Sequence, residues 1–141
     1  MAVRPPTPVC TCFLLCRQVF VDPARQEYVL VSPVHQLFPA RLPLVEDLSV
    51  FARWTNAHGA YAVEVQLRDL EGEVLWRQAM PQPFETRDPL QVWLLTLCHL
   101  AFPIPKPGKY EVALLADGRQ VAADVLLVDP PPRDPEEEAP P

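Results

Sequence analysis

At 141 residues the chain is long enough for one domain with its own core, and its 49% hydrophobic content is ordinary for a globular protein. Nineteen prolines and only four glycines exclude a flexible glycine-rich linker and a glycine-rich phosphate loop. The net charge is −6 and the basic residues form no stripe, which excludes nucleic acid as the expected partner. No apolar run approaches the roughly 20 residues of a membrane-spanning helix.

The N-terminal part is predicted to be a disordered lead over residues 1–9, followed by a first strand over 12–21 that ends at a turn beginning with Asp22. An alternative is a short lipoprotein signal ending at Cys16, which would make the protein lipid-anchored at the cell surface. Such signals carry a small residue just before the cysteine, where this chain has Leu15, so the strand is favoured. The protein is then expected in the cytoplasm with reduced cysteines.

The remaining strands are predicted between prolines, because proline cannot donate a hydrogen bond to a β-ladder. Their ranges are 28–31 (with a continuation to 38 as the alternative), 47–55, 61–69, 73–79, 91–102, 109–116 and 119–128. The segment 91–102 could also form a helix, since it is rich in leucine, but its β-branched residues favour a strand. Asp117 and Gly118 between two apolar runs predict a type I′ hairpin.

Several of these runs alternate apolar and polar residues, as Tyr61–Leu67 does. Such alternation is typical of antiparallel strands with one buried face, and strands that follow one another without helices indicate sheet-on-sheet packing. The prediction is therefore an all-β, antiparallel two-sheet sandwich of immunoglobulin or fibronectin type III kind, with about eight strands. The single domain covers residues 10–128.

Residues 129–141 are predicted to be a disordered, acidic tail rich in proline and glutamate. Apart from its prolines, the tail has one apolar side chain, Ala139. It therefore cannot bury enough surface to offset its ordering entropy.

The four cysteines are the first candidates for chemistry. Cys10, Cys12 and Cys16 fall at even positions and are predicted to share one face of the first strand. Same-face neighbours on a strand lie about 6.5–7 Å apart, which is too far for two thiolates that bind one zinc ion. Packing in the core is therefore the favoured interpretation of the cysteines, and no metal or cofactor is expected. A cysteine–histidine enzyme or metal protein that uses Cys98, His99 and Cys16 stays open as an alternative, because catalytic partners meet in space.

Other chemistry-bearing residues have simpler interpretations. His99 is expected to donate to a backbone carbonyl and His58 to be solvated. Possible calcium-binding aspartates fit ordinary turn roles better, because no loop holds a dense acidic cluster; they are Asp22, Asp88 and Asp117. Each of the three tryptophans falls on the same face of its predicted strand as apolar neighbours, so all three are predicted to lie in the core. They are Trp54, Trp76 and Trp93.

Three stretches carry a family resemblance: Cys16-Arg-Gln-Val-Phe, Val50-Phe-Ala-Arg-Trp and Phe102-Pro-Ile-Pro-Lys-Pro-Gly-Lys-Tyr-Glu-Val before the Asp117–Gly118 hairpin. With them, residues 12–128 resemble an uncharacterised family of small bacterial proteins, a domain of unknown function that stands alone as an immunoglobulin-like sandwich. The resemblance implies that fold and a bacterial origin, and it implies no activity.

The favoured function is a non-enzymatic protein-binding or adaptor module with an unidentified protein partner. Strict alternation of eight strands would place the turns at 22–25, 56–58, 81–89 and 117–118 at one end of the sandwich. Binding residues concentrate on loops held by a rigid scaffold. The predicted partner-binding residues at that end are His58, Phe84 as an apolar anchor, Arg87 and Asp88.

Overall fold

The computed structural model describes residues 6–132, and over that range the chain forms eleven strands and no helix. In chain order the strands are β1 (Val9–Asp22), β2 (Glu27–Pro33), β3 (Gln36–Leu37), β4 (Leu44–Thr55), β5 (Gly59–Tyr61), β6 (Val63–Arg68), β7 (Val74–Ala79), β8 (Phe84–Thr86), β9 (Trp93–Ile104), β10 (Gly108–Ala116) and β11 (Arg119–Val128). None of the described residues forms a helix long and apolar enough to cross a membrane.

Two sheets enclose one hydrophobic core. The first sheet has the order β2-β1-β4-β9, the second has the order β3-β11-β10-β6-β7, and β5 and β8 form a separate two-stranded sheet. Within the two main sheets every pairing is antiparallel except that of β3 with β11. Alternate residues of facing strands fill the core, among them Leu15, Trp54 and Phe102 from the first sheet and Leu67, Leu114 and Leu126 from the second. The chain is therefore an antiparallel β-sandwich.

The connection from β9 to β10 carries a feature typical of immunoglobulin-like folds. Tyr110, near the start of β10, is 3% exposed, and its hydroxyl donates to the Lys106 carbonyl oxygen at 2.6 Å. This arrangement is the tyrosine corner of immunoglobulin-like sandwiches, in which a tyrosine hydroxyl bonds to the backbone a few residues upstream. The sequence-based prediction of an immunoglobulin-like sandwich is confirmed.

The individual strands agree with the sequence in most places and differ in two. Residues 93–104 form a strand, so the helical alternative for this segment is wrong. The run from 28 to 38 is two strands in different sheets, because the chain crosses from β2 to β3 after Pro33. The short strand β5 ends at Tyr61, the first residue of the predicted 61–69 run, and β8 comes from the 81–89 loop. Asp117 and Gly118 both have positive φ, as the predicted type I′ turn requires.

The cysteines of β1 do not share one face. A register shift between Cys10 and Cys12 marks a β-bulge, and the bulge turns Cys10 toward the main core. Cys12 and Cys16 lie on the outer face of the first sheet, in a second apolar cluster with Phe51 and Val19. The prediction of one shared face was therefore wrong, because the inserted residue reverses the alternation of side chains.

The segments that flank the domain are only partly described. Residues 6–8 precede β1, and Pro8 is buried, although residues 1–9 were expected to be a disordered lead. At the other terminus, the Asp129 carboxylate accepts a hydrogen bond from the Gln36 side chain at 2.7 Å. The predictions for residues 1–5 and 133–141 fall outside the described residues.

Candidate functional site

Three of the predicted turns meet at one end of the sandwich, which we call the loop end. The turn at 56–58 follows β4, which pairs with β9 in the register Trp54↔Trp93, and the turn at 117–118 follows β10, which pairs with β6 in the register Ala116↔Val63. Strand β8 pairs with β5 and so places the 81–89 loop beside these two turns. The 22–25 turn lies at the opposite end, contrary to the prediction. The prediction counted residues 28–38 as one strand, whereas β2 and β3 are two strands in different sheets. The chain therefore runs the length of the sandwich one more time than predicted, and the 22–25 turn falls at the other end.

The 81–89 loop is held in place by backbone hydrogen bonds. Strand β8 pairs with β5 in the register Ala60↔Glu85, and the Asn56 amide donates to the Pro89 carbonyl oxygen at 3.1 Å. The Asp88 carboxylate accepts the Leu90 amide at 3.0 Å, as aspartate does in turns. The loop therefore has a defined shape even though most of its side chains are exposed.

Tyr61 connects the loop end to the segment before β1. Its hydroxyl accepts the His58 amide at 2.8 Å and donates to the Pro6 carbonyl oxygen at 2.7 Å. The ring is buried, so both bonds form in a site with little access to water. Tyr61 was absent from the predicted site because its place in an alternating strand indicated a core residue only.

Phe84, the predicted apolar anchor, packs into an aromatic cluster at the edge of the core. Its ring centroid lies 5.0 Å from that of Trp54 and 5.7 Å from that of Trp93. The side chain is half-buried, so most of its apolar surface already faces the domain. Phe84 therefore supports the loop from beneath, and the exposed side chains of the loop are those of its polar residues and of its three prolines.

A shallow cavity of about 330 Å³ opens beside this cluster. We call it the loop-end cavity, and its lining residues are Glu85, Thr86, Arg87, Asp88, Gln91 and Trp93. Two lining residues carry buried polar atoms without a hydrogen-bond partner among the described residues, the Thr86 hydroxyl and the Trp93 indole nitrogen. Thr86 is 4% exposed. The Trp54 indole nitrogen, in the same aromatic cluster, is buried and unpartnered as well. Because these atoms are buried, the groups that the cavity presents to solvent are the exposed side chains of Glu85, Arg87, Asp88 and Gln91.

Of the four predicted residues, Arg87 and Asp88 line the loop-end cavity, Phe84 packs beneath it, and His58 is exposed on the adjacent turn. Nothing in the sequence indicated Thr86 or Gln91 as site residues, because an isolated polar residue in a predicted loop belongs to no recognisable motif. Trp93 was correctly interpreted as packing against the core, and its half-buried side chain also lines the cavity.

The residues of the cysteine–histidine alternative lie in different surroundings. Burial, with a smaller effect of the neighbouring Cys12 thiol, raises the pKa of the Cys16 thiol, which disfavours the reactive thiolate. His99 stands in a bulge with φ +57°, and its Nδ1 lies 3.3 Å from an Asp47 carboxylate oxygen. The side chain was expected to bond a backbone carbonyl and instead faces solvent, while Cys98 lies near the Val19 carbonyl.

The candidate metal ligands are spread over the domain. Within residues 6–132, no three side chains from cysteine, histidine, aspartate and glutamate are grouped as a metal ion would require. Two of the aspartates considered as calcium ligands accept the backbone amide two residues further on, Asp22 from Ala24 and Asp88 from Leu90, which confirms their predicted turn roles. Asp117 lies in the predicted hairpin turn, but its carboxylate accepts the amide of the distant Ala62.

Comparison with known proteins places the chain in a family. The family model described as "Family of unknown function (DUF6941)" matches residues 11–129, so the chain belongs to that family. Among solved structures, an immunoglobulin-like protein from Pseudomonas aeruginosa matches with 12% identity and a TM-score of 0.41, over 88% of this chain and 98% of that one. No curated protein matches the sequence.

Proposed function

We propose that this domain is a non-enzymatic protein-binding module and that the loop end is its contact surface. The observation that carries the proposal is the loop-end cavity itself, where the exposed charged side chains of Glu85, Arg87 and Asp88 stand on a loop that backbone hydrogen bonds hold in place. The proposal includes a cytoplasmic location, which the four free cysteines support.

The chemistry of the cavity favours a peptide segment of the partner. Trp93 lines the cavity with an aromatic ring, an apolar surface against which a side chain of the segment can pack. Arg87 adds a positive charge and up to five donors, whereas Glu85 and Asp88 offer acceptors for N–H groups of the same segment. Alternating donors and acceptors match the alternating carbonyl and amide groups of a peptide.

The loop is also suited to binding in energetic terms. Its backbone is fixed by β8 and by the bond between Asn56 and Pro89, so a partner does not have to order it. Ordering of loops and side chains is one of the main costs of association, and a preformed site avoids part of it. A well-defined loop on a rigid scaffold is the usual position of a binding site.

The test begins with capture of a partner from the native host on immobilised domain, followed by affinity measurements on the purified pair. Trp93→Phe reduces the aromatic surface that lines the cavity, while Arg87→Ala removes the positive charge. Each is expected to weaken binding by about 1–2 kcal/mol. Arg25→Ala, an exposed arginine at the opposite end, serves as the matched control and should leave affinity unchanged.

The design avoids Phe84→Ala, because removal of a half-buried ring packed on two indoles would destabilise the domain itself. Circular dichroism and urea unfolding establish that each variant is folded. Unchanged affinity in both Trp93→Phe and Arg87→Ala, with the fold intact, would exclude the loop-end cavity as the contact surface.

A further inference from the structure

The sandwich has four edge strands in its two main sheets, and they differ in how they are protected. Edge strands present free N–H and C=O groups to other chains, and natural proteins guard them with charges, prolines, bulges or short length. In the second sheet, β3 has only two residues and β7 carries Arg77 in its interior. In the first sheet, β9 has a bulge at His99, with φ +57°, and Pro103 near its end.

The remaining edge strand, β2, has these devices only at its two ends, in Glu27 and Pro33. Its interior reads Tyr28-Val-Leu-Val31, without charge or proline, between the positive φ values of Gln26 and Ser32. Among the described residues, the backbone of β2 bonds only to β1. One side of residues 27–31 therefore keeps alternate N–H and C=O groups free for a further strand.

The surface around this edge is apolar. At the tip of the β1–β2 hairpin, Phe20, Val21 and Tyr28 are 44%, 48% and 38% exposed. Tyr28 stacks edge-on against Phe51, with ring centroids 5.8 Å apart, and so extends the outer apolar cluster of the first sheet to the hairpin. A strand added to β2 would cover part of this surface as well as the free backbone groups.

We propose that β2 is a homodimer interface, in which residues 27–31 pair antiparallel with the same residues of a second copy. Pairing centred on Val29 places Glu27 of each copy opposite Val31 of the other, so no like charges meet and the interface is self-complementary, as a two-fold axis requires. The two first sheets then form one continuous eight-stranded sheet.

The area available sets the strength of this dimer. Stable interfaces bury roughly 800 Å² on each partner. Five paired residues and three half-exposed side chains supply only part of that area. The dimer is therefore weak and reversible, with a dissociation constant in the high-micromolar range.

Sedimentation equilibrium of the full chain, from about 10 μM to about 1 mM, tests the proposal on the scale of the expected affinity. The wild-type mass should rise from the monomer value of 15.9 kDa toward twice that value. Val29→Lys, which places a charge on the edge, should raise the dissociation constant at least about tenfold. Val74→Lys on the edge strand β7 is the matched control and should change it less than about twofold. If Val29→Lys fails to fold, Tyr28→Lys takes its place.

Hydrogen exchange locates the interface independently of any substitution. Backbone amides of residues 27–31 should exchange more slowly at high than at low protein concentration, while those of β7 should not change. A mass that stays at 15.9 kDa throughout would overturn the proposal. A dimer without concentration-dependent protection of β2, or one weakened equally by Val74→Lys, would also overturn it.

Discussion

Replacing Tyr61 by phenylalanine tests whether its hydroxyl holds the loop end together. The substitution keeps the ring and removes two hydrogen bonds, the one accepted from the His58 amide at 2.8 Å and the one donated to the Pro6 carbonyl at 2.7 Å. A neutral hydrogen bond contributes about 0.5–1.5 kcal/mol net. Because no cavity forms, the expected loss in unfolding free energy is about 2 kcal/mol.

Tyr110→Phe provides a matched comparison at the opposite end. This tyrosine is equally buried, but only its bond to the Lys106 carbonyl, at 2.6 Å, is short; the bond accepted from the Lys106 amide measures 3.4 Å. Removing one good bond should cost about 1 kcal/mol, roughly half of the effect at Tyr61.

Urea unfolding followed by tryptophan fluorescence measures both free energies, and its slope reports any change in the surface exposed on unfolding. Hydrogen exchange of the 56–58 turn provides a local measurement that should respond to Tyr61→Phe and not to Tyr110→Phe. A loss below about 0.3 kcal/mol in Tyr61→Phe, or no faster exchange in the turn, would refute the reasoning that this hydroxyl anchors the loop end.

Three further predictions concern the cysteines and the tail. Burial raises the pKa of the Cys16 thiol above its ordinary value of 9.0. The stability that the buried, protonated thiol contributes is therefore complete below pH 9 and is lost as the pH rises toward the folded-state pKa. The wild type should lose more unfolding free energy between pH 8 and pH 10 than Cys16→Ala does. Cys16→Ser should lower the unfolding free energy measured in urea by about 1–3 kcal/mol, because it buries a hydroxyl in an apolar cluster. Elemental analysis should find no stoichiometric zinc in the wild type. Nearly one equivalent of zinc that is lost in Cys16→Ser would contradict the packing interpretation. Deletion of residues 130–141 should change the unfolding free energy by less than about 0.5 kcal/mol, and a melting temperature lowered by several degrees would show that the tail contributes to the fold.

The features that the sequence predicted correctly depend on local chemistry. The Asp117–Gly118 hairpin follows from two residues that tolerate positive φ, and the long strands follow from alternation over six or more positions. Tyr110 stands in the Pro-Gly-Lys-Tyr stretch that carried the family resemblance, but the bond from its hydroxyl to the Lys106 carbonyl was not predicted.

The features that the sequence did not predict depend on contacts between distant segments. The bulge between Cys10 and Cys12 is fixed by pairing with β4, and nothing in the local pattern distinguishes it from a regular strand. Strands β5 and β8 have three residues each, too few for a period to show, yet they position the predicted 81–89 loop. The loop-end cavity therefore could not be assembled from sequence, although two of its lining residues were named.

The two proposed surfaces lie apart on the molecule, which has a consequence for how a dimer would bind. Antiparallel pairing of β2 with its copy reverses the direction of every strand, so the two loop ends would point in opposite directions. Such a dimer could not engage two sites on one flat partner, but it could connect two separate partner molecules, each held by one loop-end cavity. If both proposals hold, Val29→Lys should abolish the bridging of two partners and leave the affinity of each site unchanged, whereas Trp93→Phe should weaken each site and leave the dimer intact. A single variant that impaired both measurements while keeping the fold would show that the two surfaces are one.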